Sequence, residues 1–222
     1  MLNIIILFLL KLLNLLGLAK HKISYKLNPS DNTDLDNKTL QQAADKAIAV
    51  WNKYVSPKTN IEFELSAINI FENTAARAFQ PDGPSCETVD NSWHVEVNVA
   101  FMDRYSKLED RGVNIIASFI MHEIAHIYGF GSPLWKSLFD HNGVIRERYA
   151  QKYPVLKGKK ISHDGDHWDH HGTLLSEHVD EDGHFAPETI VVMALLGHRV
   201  KVKPDNHIEF EHFLSEANSH SA

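Results

Sequence analysis

The chain has 222 residues, of which 43% are hydrophobic and 23% are charged, enough for one globular domain with a substantial core. Its formal net charge of −7, without a Lys/Arg-rich block, argues against a nucleic-acid or anionic-membrane partner. The single cysteine, Cys86, excludes an internal disulfide and a zinc knuckle built on cysteines. We interpret it as an inert loop residue, with a thiol that caps a zinc ion as the alternative.

The N-terminal segment has the character of an export signal. Residues 1–19 are apolar apart from three positions and end in the small-residue pattern Gly17-Leu18-Ala19. This pattern predicts a secretory signal that is cleaved after Ala19, with an uncleaved anchor and an amphipathic terminal helix as alternatives. The run is too short and too interrupted for a stable membrane span, so we expect a secreted protein, extracellular or periplasmic.

Four segments alternate apolar and polar residues with the period of a half-buried strand. They are KISYKLN (22–28), NIEFELSAI (60–68), TAARAF (74–79) and WHVEVNVAF (93–101). Residues 37–55 place apolar side chains at helical spacing, with Asp36 or Asn37 as a cap and Pro57 as a stop. The order strand, helix, three strands predicts an α/β domain.

Two later segments predict helices. The run GVNIIASFIMHEIAHIYG (112–129) is apolar on nearly every face, as in a helix buried all round, and Gly129 is placed to end it. The run ETIVVMALLGHRV (188–200) predicts another helix, ended by Gly197. Between these runs, Gly, Pro, His and Asp are frequent without core periodicity, which predicts irregular structure. An amphipathic patch at 208–214 is expected to dock as a final helix or to fray.

The buried run contains the string HEIAH, with His122, Glu123 and His126. Residues four apart share one helix face, so the two imidazoles converge, while Glu123 is rotated by about 100° and can reach a water there. Zinc lowers the pKa of such a water towards about 7, and a carboxylate can take its proton as it attacks a carbonyl. A satisfied core network and an exposed helix face are the simpler interpretations. We favour one catalytic zinc ion, because unpaired polar groups are costly in so apolar a helix.

A catalytic zinc site requires a third protein ligand. The downstream candidates are the histidines His163, His167, His170 and His171 and the carboxylates Asp164, Asp166 and Glu147. Spacing alone does not choose between them.

The string HEIAHIYGFGSPLW, followed at a distance by HWD, resembles the metzincin clan of zinc proteases and, within it, the leishmanolysin-like branch. In that branch an insertion separates HExxHxxG from the third histidine. Ser132 stands where compact metzincins carry that histidine, so the form with the insertion is required. The resemblance implies zinc ligation by His122, His126 and His167, the last because it begins the HW pair, and it implies Glu123 as the general base.

The sequence departs from the metzincin pattern at one hydrophobic position. Metzincins carry a methionine turn beneath the zinc site, and Leu175 occupies the place of that methionine. Leucine can supply the same apolar floor, since the residue packs and does not bind the metal. Met193, the nearest downstream methionine, lies in an apolar run and is interpreted as a core residue.

The resemblance also implies the architecture, a zincin-like twisted mixed sheet, mostly parallel with one antiparallel edge strand, and an active-site helix. We expect a signal peptide at 1–19, an N-terminal metalloprotease subdomain at 20–129 and a mostly irregular C-terminal subdomain at 130–222. The third zinc ligand is expected in the C-terminal subdomain.

The implied function is that of a zinc-dependent endopeptidase, a hydrolase that acts on peptides or proteins as a monomer. Substrate is expected to add as a strand along an edge formed by Ala75, Ala76, Arg77, Ala78 and Phe79. Two other functions stay open. One is a non-catalytic zinc-binding or toxin-like interaction module, and the other is a zincin of another clan with a carboxylate as third ligand.

Overall fold

The computed structural model describes residues 21–28, 34–70, 74–80, 93–169 and 186–201. The predicted signal at 1–19, Cys86, Leu175 and the amphipathic patch at 208–214 lie outside these ranges. Within the ranges, no helix is both long enough and apolar enough to cross a membrane.

A four-stranded sheet forms the centre of the fold. The strands are β1 (Ile23–Leu27), β2 (Val55–Ser56), β3 (Ile61–Ile68), β4 (Ala76–Phe79), β5 (Trp93–Asn98) and β6 (Arg199–Val200). The sheet order is β1-β3-β5-β4, in which β1, β3 and β5 are parallel and β4 runs antiparallel to β5 at the edge. The expected α/β class and a mostly parallel sheet with one antiparallel edge strand are therefore confirmed.

Helices cover the sheet and continue beyond it. They are α1 (Asp34–Tyr54), α2 (Val99–Ser106), α3 (Glu109–Ile127), α4 (Pro133–Lys136), α5 (Glu147–Lys152) and α6 (Pro187–Leu195), and Pro154–Leu156 forms a 3₁₀ turn. The three helices predicted at 37–55, 112–129 and 188–200 correspond to α1, α3 and α6. Strand β6 follows α6 and pairs antiparallel with β2, so the end of the described chain packs back onto its first half.

The predicted boundaries of α1 are wrong at both ends. The helix begins at Asp34, so Asp36 and Asn37 lie inside its first turn and do not cap it. It ends at Tyr54, three residues before Pro57, because Val55–Ser56 leaves the helix to pair with β6. Pairing with a strand about 140 residues away, which no local pattern encodes, overrides the helical spacing there.

The strand predicted over 93–101 is also too long. Strand β5 ends at Asn98, and Val99–Ser106 forms helix α2. The Asn98 side chain accepts a hydrogen bond from the Ala100 amide at 3.1 Å, which caps the new helix. Val99 happens to continue the apolar alternation although it belongs to the helix. The asparagine at position 98 is the residue in the sequence that marks the start of this helix.

Helices α1 and α3 pack against each other behind the sheet. The α1 face is completely buried at Leu40, Ala44, Ala47 and Trp51, which are the apolar positions of its helical spacing. The Trp51 indole donates a hydrogen bond to the Met121 carbonyl at 3.2 Å. This contact attaches α1 to the turn of α3 that immediately precedes His122.

The end of α3 confirms the role predicted for Gly129. The backbone of Gly129 has φ of +111°, a region that side chains disfavour, and the chain leaves the helix there. The Phe130 amide then donates to the Ala125 carbonyl at 3.1 Å, which satisfies a carbonyl of the last turn. Met193 on α6 is completely buried, in agreement with its interpretation as a core residue.

Candidate metal centre

Three histidines from two parts of the chain meet at one point. His122 and His126 lie one turn apart on α3, and His167 comes from the loop after the 3₁₀ turn. One nitrogen from each ring lies within 4.8 Å of the others. Within the described ranges, these residues form the single group of three His, Cys, Asp or Glu side chains close enough to share an ion.

The spacing of the two helical imidazoles suits a tetrahedral metal. His122 Nε2 and His126 Nε2 are 3.3 Å apart, a distance that also allows an N–H···N hydrogen bond in metal-free protein. Two zinc–nitrogen bonds of about 2.05 Å at a tetrahedral angle place their nitrogens about 3.3 Å apart. The ring of His167 lies 5.1 Å from that of His122 and 4.9 Å from that of His126, between centroids. The residues therefore fit a zinc ion with three imidazole ligands.

Two of the three rings have an acceptor behind them. His126 Nδ1 faces the Phe130 carbonyl at 3.5 Å, and His167 Nδ1 faces the Asp164 carboxylate at 2.8 Å. A carbonyl and an ionised carboxylate can only accept, so Nδ1 carries the proton in both rings. The Nε2 lone pairs are thereby left for a metal, which is the usual arrangement behind metal-bound histidines.

Burial keeps the helical histidines neutral. Loss of solvent, together with the neighbouring His126 and His167 rings, holds the pKa of His122 well below its usual value. Burial and the proximity of His167 lower the pKa of His126 to about 4. Neutral imidazole is the form that binds metal, so the ligands do not have to lose protons at neutral pH.

A short hairpin presents His167. The Ser162 amide donates to the His167 carbonyl at 2.8 Å, and Ile161 and Trp168 form the next bridge. The turn between the two strands passes through Gly165, whose φ of +79° requires a glycine. Side chains alternate along an extended segment, so His167 and the buried Trp168 point to opposite sides.

An aromatic cluster packs against this hairpin through Trp168. It consists of Phe130, Trp135, Phe139 and Trp168, with ring centroids of Trp135 and Trp168 4.9 Å apart. The Trp135 indole also donates to the Gly165 carbonyl at 3.2 Å. The loop after α3, which contains Phe130 and Trp135, thus fixes the hairpin relative to the helix that carries the other two histidines.

Glu123 lies beside the histidines in a largely buried position. Its exposed fraction is 6%, and most of the buried residues around it on α3 are apolar. It lines a cavity of about 790 Å³ that His122, His126 and His167 also line. A buried carboxylate in the same cavity as three imidazoles that are close enough to share an ion would suit proton transfer to or from a water in that cavity.

The cavity extends along the edge strand of the sheet. Ala75, Ala76, Arg77 and Ala78 line it, whereas Phe79 is not among its described lining residues and stacks on His94 instead. Ala75 precedes β4, so four of the five predicted substrate-binding positions belong to the strand. The Arg77 guanidinium bonds the Glu96 carboxylate at 2.6 Å, which orients it across the sheet.

None of the other described candidates for the third ligand belongs to the group of three, and two candidates lie outside the described ranges. Asp164 contacts His167 from behind. His163 is exposed in the hairpin turn, and Glu147 is exposed at the start of α5. Asp166 lines the cavity and forms an ion pair with Lys136 at 2.9 Å. His170 and His171 are outside the described residues.

Two features of the site had no signal in the residue spacing. One is the contact of Asp164 with His167, since the spacing presents both residues only as competing ligands. The other is a histidine bridge, in which His198 Nε2 donates to the Tyr128 carbonyl at 2.7 Å and His198 Nδ1 accepts from the Lys58 amide at 3.3 Å. This bridge joins the segment after α6 to the end of α3, and only the folded topology brings the three residues together.

Comparisons with protein-family models, curated proteins and solved structures found no match for the chain.

Proposed function

We propose that the protein is a zinc-dependent endopeptidase of metzincin type, most similar to the leishmanolysin-like branch. The observation that carries the proposal is the convergence of His122, His126 and His167 in one cavity with the buried Glu123. The HExxH string alone accounts for two of the histidines, whereas the third comes from about 40 residues downstream and reaches them only through the fold.

His122, His126 and His167 would hold the zinc ion through Nε2. When bound, zinc supplies a Lewis acid that polarises a substrate carbonyl and lowers the pKa of water to about 7. Glu123 accepts the proton of the attacking water and passes it to the leaving amine, so one carboxylate serves as base and then as acid. Glu123 is only 6% exposed, so its side chain is largely shielded from bulk water.

We further propose that substrate binds along β4. Among the described strands β4 is at the edge of the sheet, so one row of its backbone groups is not paired with a described strand, and its residues Ala76, Arg77 and Ala78 line the cavity. An extended peptide can pair with such a row, and the scissile bond is then carried past the histidines. The small side chains Ala76 and Ala78 leave space for the side chains of the peptide, which favours a protein or peptide substrate.

The decisive experiment measures zinc content and peptide hydrolysis on the same preparation. The purified chain should bind one zinc ion and cleave a mixed peptide library, lose cleavage on chelation and regain it when zinc is restored. Glu123→Gln should retain the zinc ion and lose about 100- to 10,000-fold in kcat, since it removes the base without removing a ligand.

Three outcomes separate this proposal from its rivals. Zinc binding without hydrolysis, together with a biological effect that Glu123→Gln does not change, would indicate a non-catalytic zinc-binding module. Loss of zinc on Glu147→Ala but not on His167→Ala would indicate a carboxylate third ligand. No zinc bound at all would refute the proposal. Export of the protein stays a prediction of the N-terminal sequence.

A further inference from the structure

We propose that Asp164 is a positioning residue that sets the tautomer of His167 and so prepares the third metal ligand before any metal binds. The proposal deepens the metal site described above and rests on it for its purpose. Its first test uses metal-free protein, so it can fail or succeed independently of peptidase activity.

The two carboxylate oxygens of Asp164 have different partners. Oδ1 accepts from the Asp166 amide at 2.9 Å and from the Ser162 hydroxyl. Oδ2 accepts from His167 Nδ1 at 2.8 Å. Because the backbone amide and the hydroxyl hold one oxygen, the other oxygen is fixed in the direction of the imidazole.

The same contacts keep Asp164 ionised. Partial burial acts to raise its pKa, but hydrogen bonds from Ser162, the Asp166 amide and His167 hold that pKa well below its usual value. With Oδ1 held by the Asp166 amide and the Ser162 hydroxyl, Oδ2 is directed at His167 Nδ1 as an acceptor. In the neutral ring the single proton is then on Nδ1, and the Nε2 lone pair is left to bind a metal.

Replacing one oxygen by an amide group reverses this arrangement. In Asp164→Asn, the amide oxygen is needed by the Asp166 amide, so the NH₂ group turns toward His167. Nδ1 must then accept, and the proton of the neutral ring moves to Nε2, the nitrogen that Asp164 leaves available for a metal. The substitution is nearly isosteric, yet it is expected to place a proton where a metal would bind.

Asp166 offers a matched control in the same turn. Its carboxylate is directed at Lys136, 2.9 Å away, and it lies two positions after Asp164 in the sequence. Asp166→Asn removes the same charge two positions away in the same turn without removing the acceptor of His167. A purely electrostatic effect on the site would therefore appear in both variants, and a tautomer effect only in Asp164→Asn.

The primary test is nitrogen-15 NMR of histidine rings in the full chain, with a chelator present and His167 assigned by the loss of its signals in His167→Gln. Wild type and Asp166→Asn should show the proton on Nδ1 of His167, and Asp164→Asn should show it on Nε2. An Nε2 proton in the wild type would overturn the proposal without reference to any variant. Retention of the Nδ1 proton in Asp164→Asn would overturn it as well.

The second test measures zinc affinity by competition with a chromogenic chelator. Loss of a partner behind a metal-bound histidine weakens binding by about 10- to 100-fold, which is the result expected for Asp164→Asn. Asp166→Asn should stay within about threefold of wild type, since a single screened charge at an exposed site contributes little. An equal loss of zinc affinity in the two variants would show that Asp164 acts only through its charge, and it would refute the proposal.

Discussion

The histidine bridge predicts how stability depends on pH. Burial lowers the pKa of His198 to about 4 from a usual value of 6.5. The Tyr128 carbonyl favours the charged ring, but Nδ1 accepts from the Lys58 amide, and protonation would set two N–H groups against each other. The folded protein thus holds this ring neutral below pH 6.5.

The sign of the effect follows from linkage. Below pH 6.5 the unfolded chain takes up a proton at His198, whereas the folded chain does so only near pH 4. The contribution of His198 to the free energy of unfolding is therefore fully present well above pH 6.5 and is lost as the pH falls from 6.5 to 4. With these two pKa values, the free energy of unfolding should decrease by about 2 kcal/mol between pH 7 and pH 5 through this residue.

Urea unfolding at pH 7 and pH 5, with a chelator present, isolates this contribution. In His198→Gln the amide retains a donor for Tyr128 and does not titrate, so this variant should lose about 2 kcal/mol less than wild type over that interval. The other histidines are present in both proteins and cancel in the comparison. His141→Gln, at an exposed position, should show the wild-type difference. Equal losses in wild type and His198→Gln would refute the reasoning.

Two further predictions concern the supports of the site. Gly129→Ala forces a side chain into a backbone with φ of +111° and should cost about 1–3 kcal/mol of stability in urea unfolding, and a neutral result would show that the turn relaxes. Trp135→Phe leaves one aromatic ring in the cluster but removes the indole hydrogen bond to Gly165 and leaves space in a fully buried site. It should cost at least about 1 kcal/mol in urea unfolding, and an unchanged midpoint would refute both contributions.

The sheet and its helices were predictable because burial has a period that local sequence displays. In β3, Ile61, Phe63, Leu65 and Ala67 are buried and the residues between them are not, so the alternation identified the strand directly. The ends of elements were less predictable. Helix α1 stops where Val55–Ser56 meets a strand from the far end of the described chain, and that partner is not visible in the local pattern.

The first two residues of the cluster were predictable for the same local reason. His122 and His126 lie four positions apart on one helix, and helix geometry fixes their relation whatever the rest of the chain does. The role of Asp164 was not predictable from spacing. A carboxylate three positions before a histidine is compatible with many turns, and only the hydrogen bonds to Ser162 and the Asp166 amide select the one that directs it at His167.

The place of His167 among its rivals depends on the register of one hairpin. Pairing of Ser162 with His167 puts the imidazole on the side of α3 and the next side chain, Trp168, into the aromatic cluster below. A shift of one residue would exchange these sides and bury the imidazole among aromatic rings. The resemblance to HW-containing proteases selected His167 by its neighbour, and the structure supplies a physical reason for that pairing. The tryptophan is the anchor that fixes the register, and the histidine is the residue that this register exposes to the cavity.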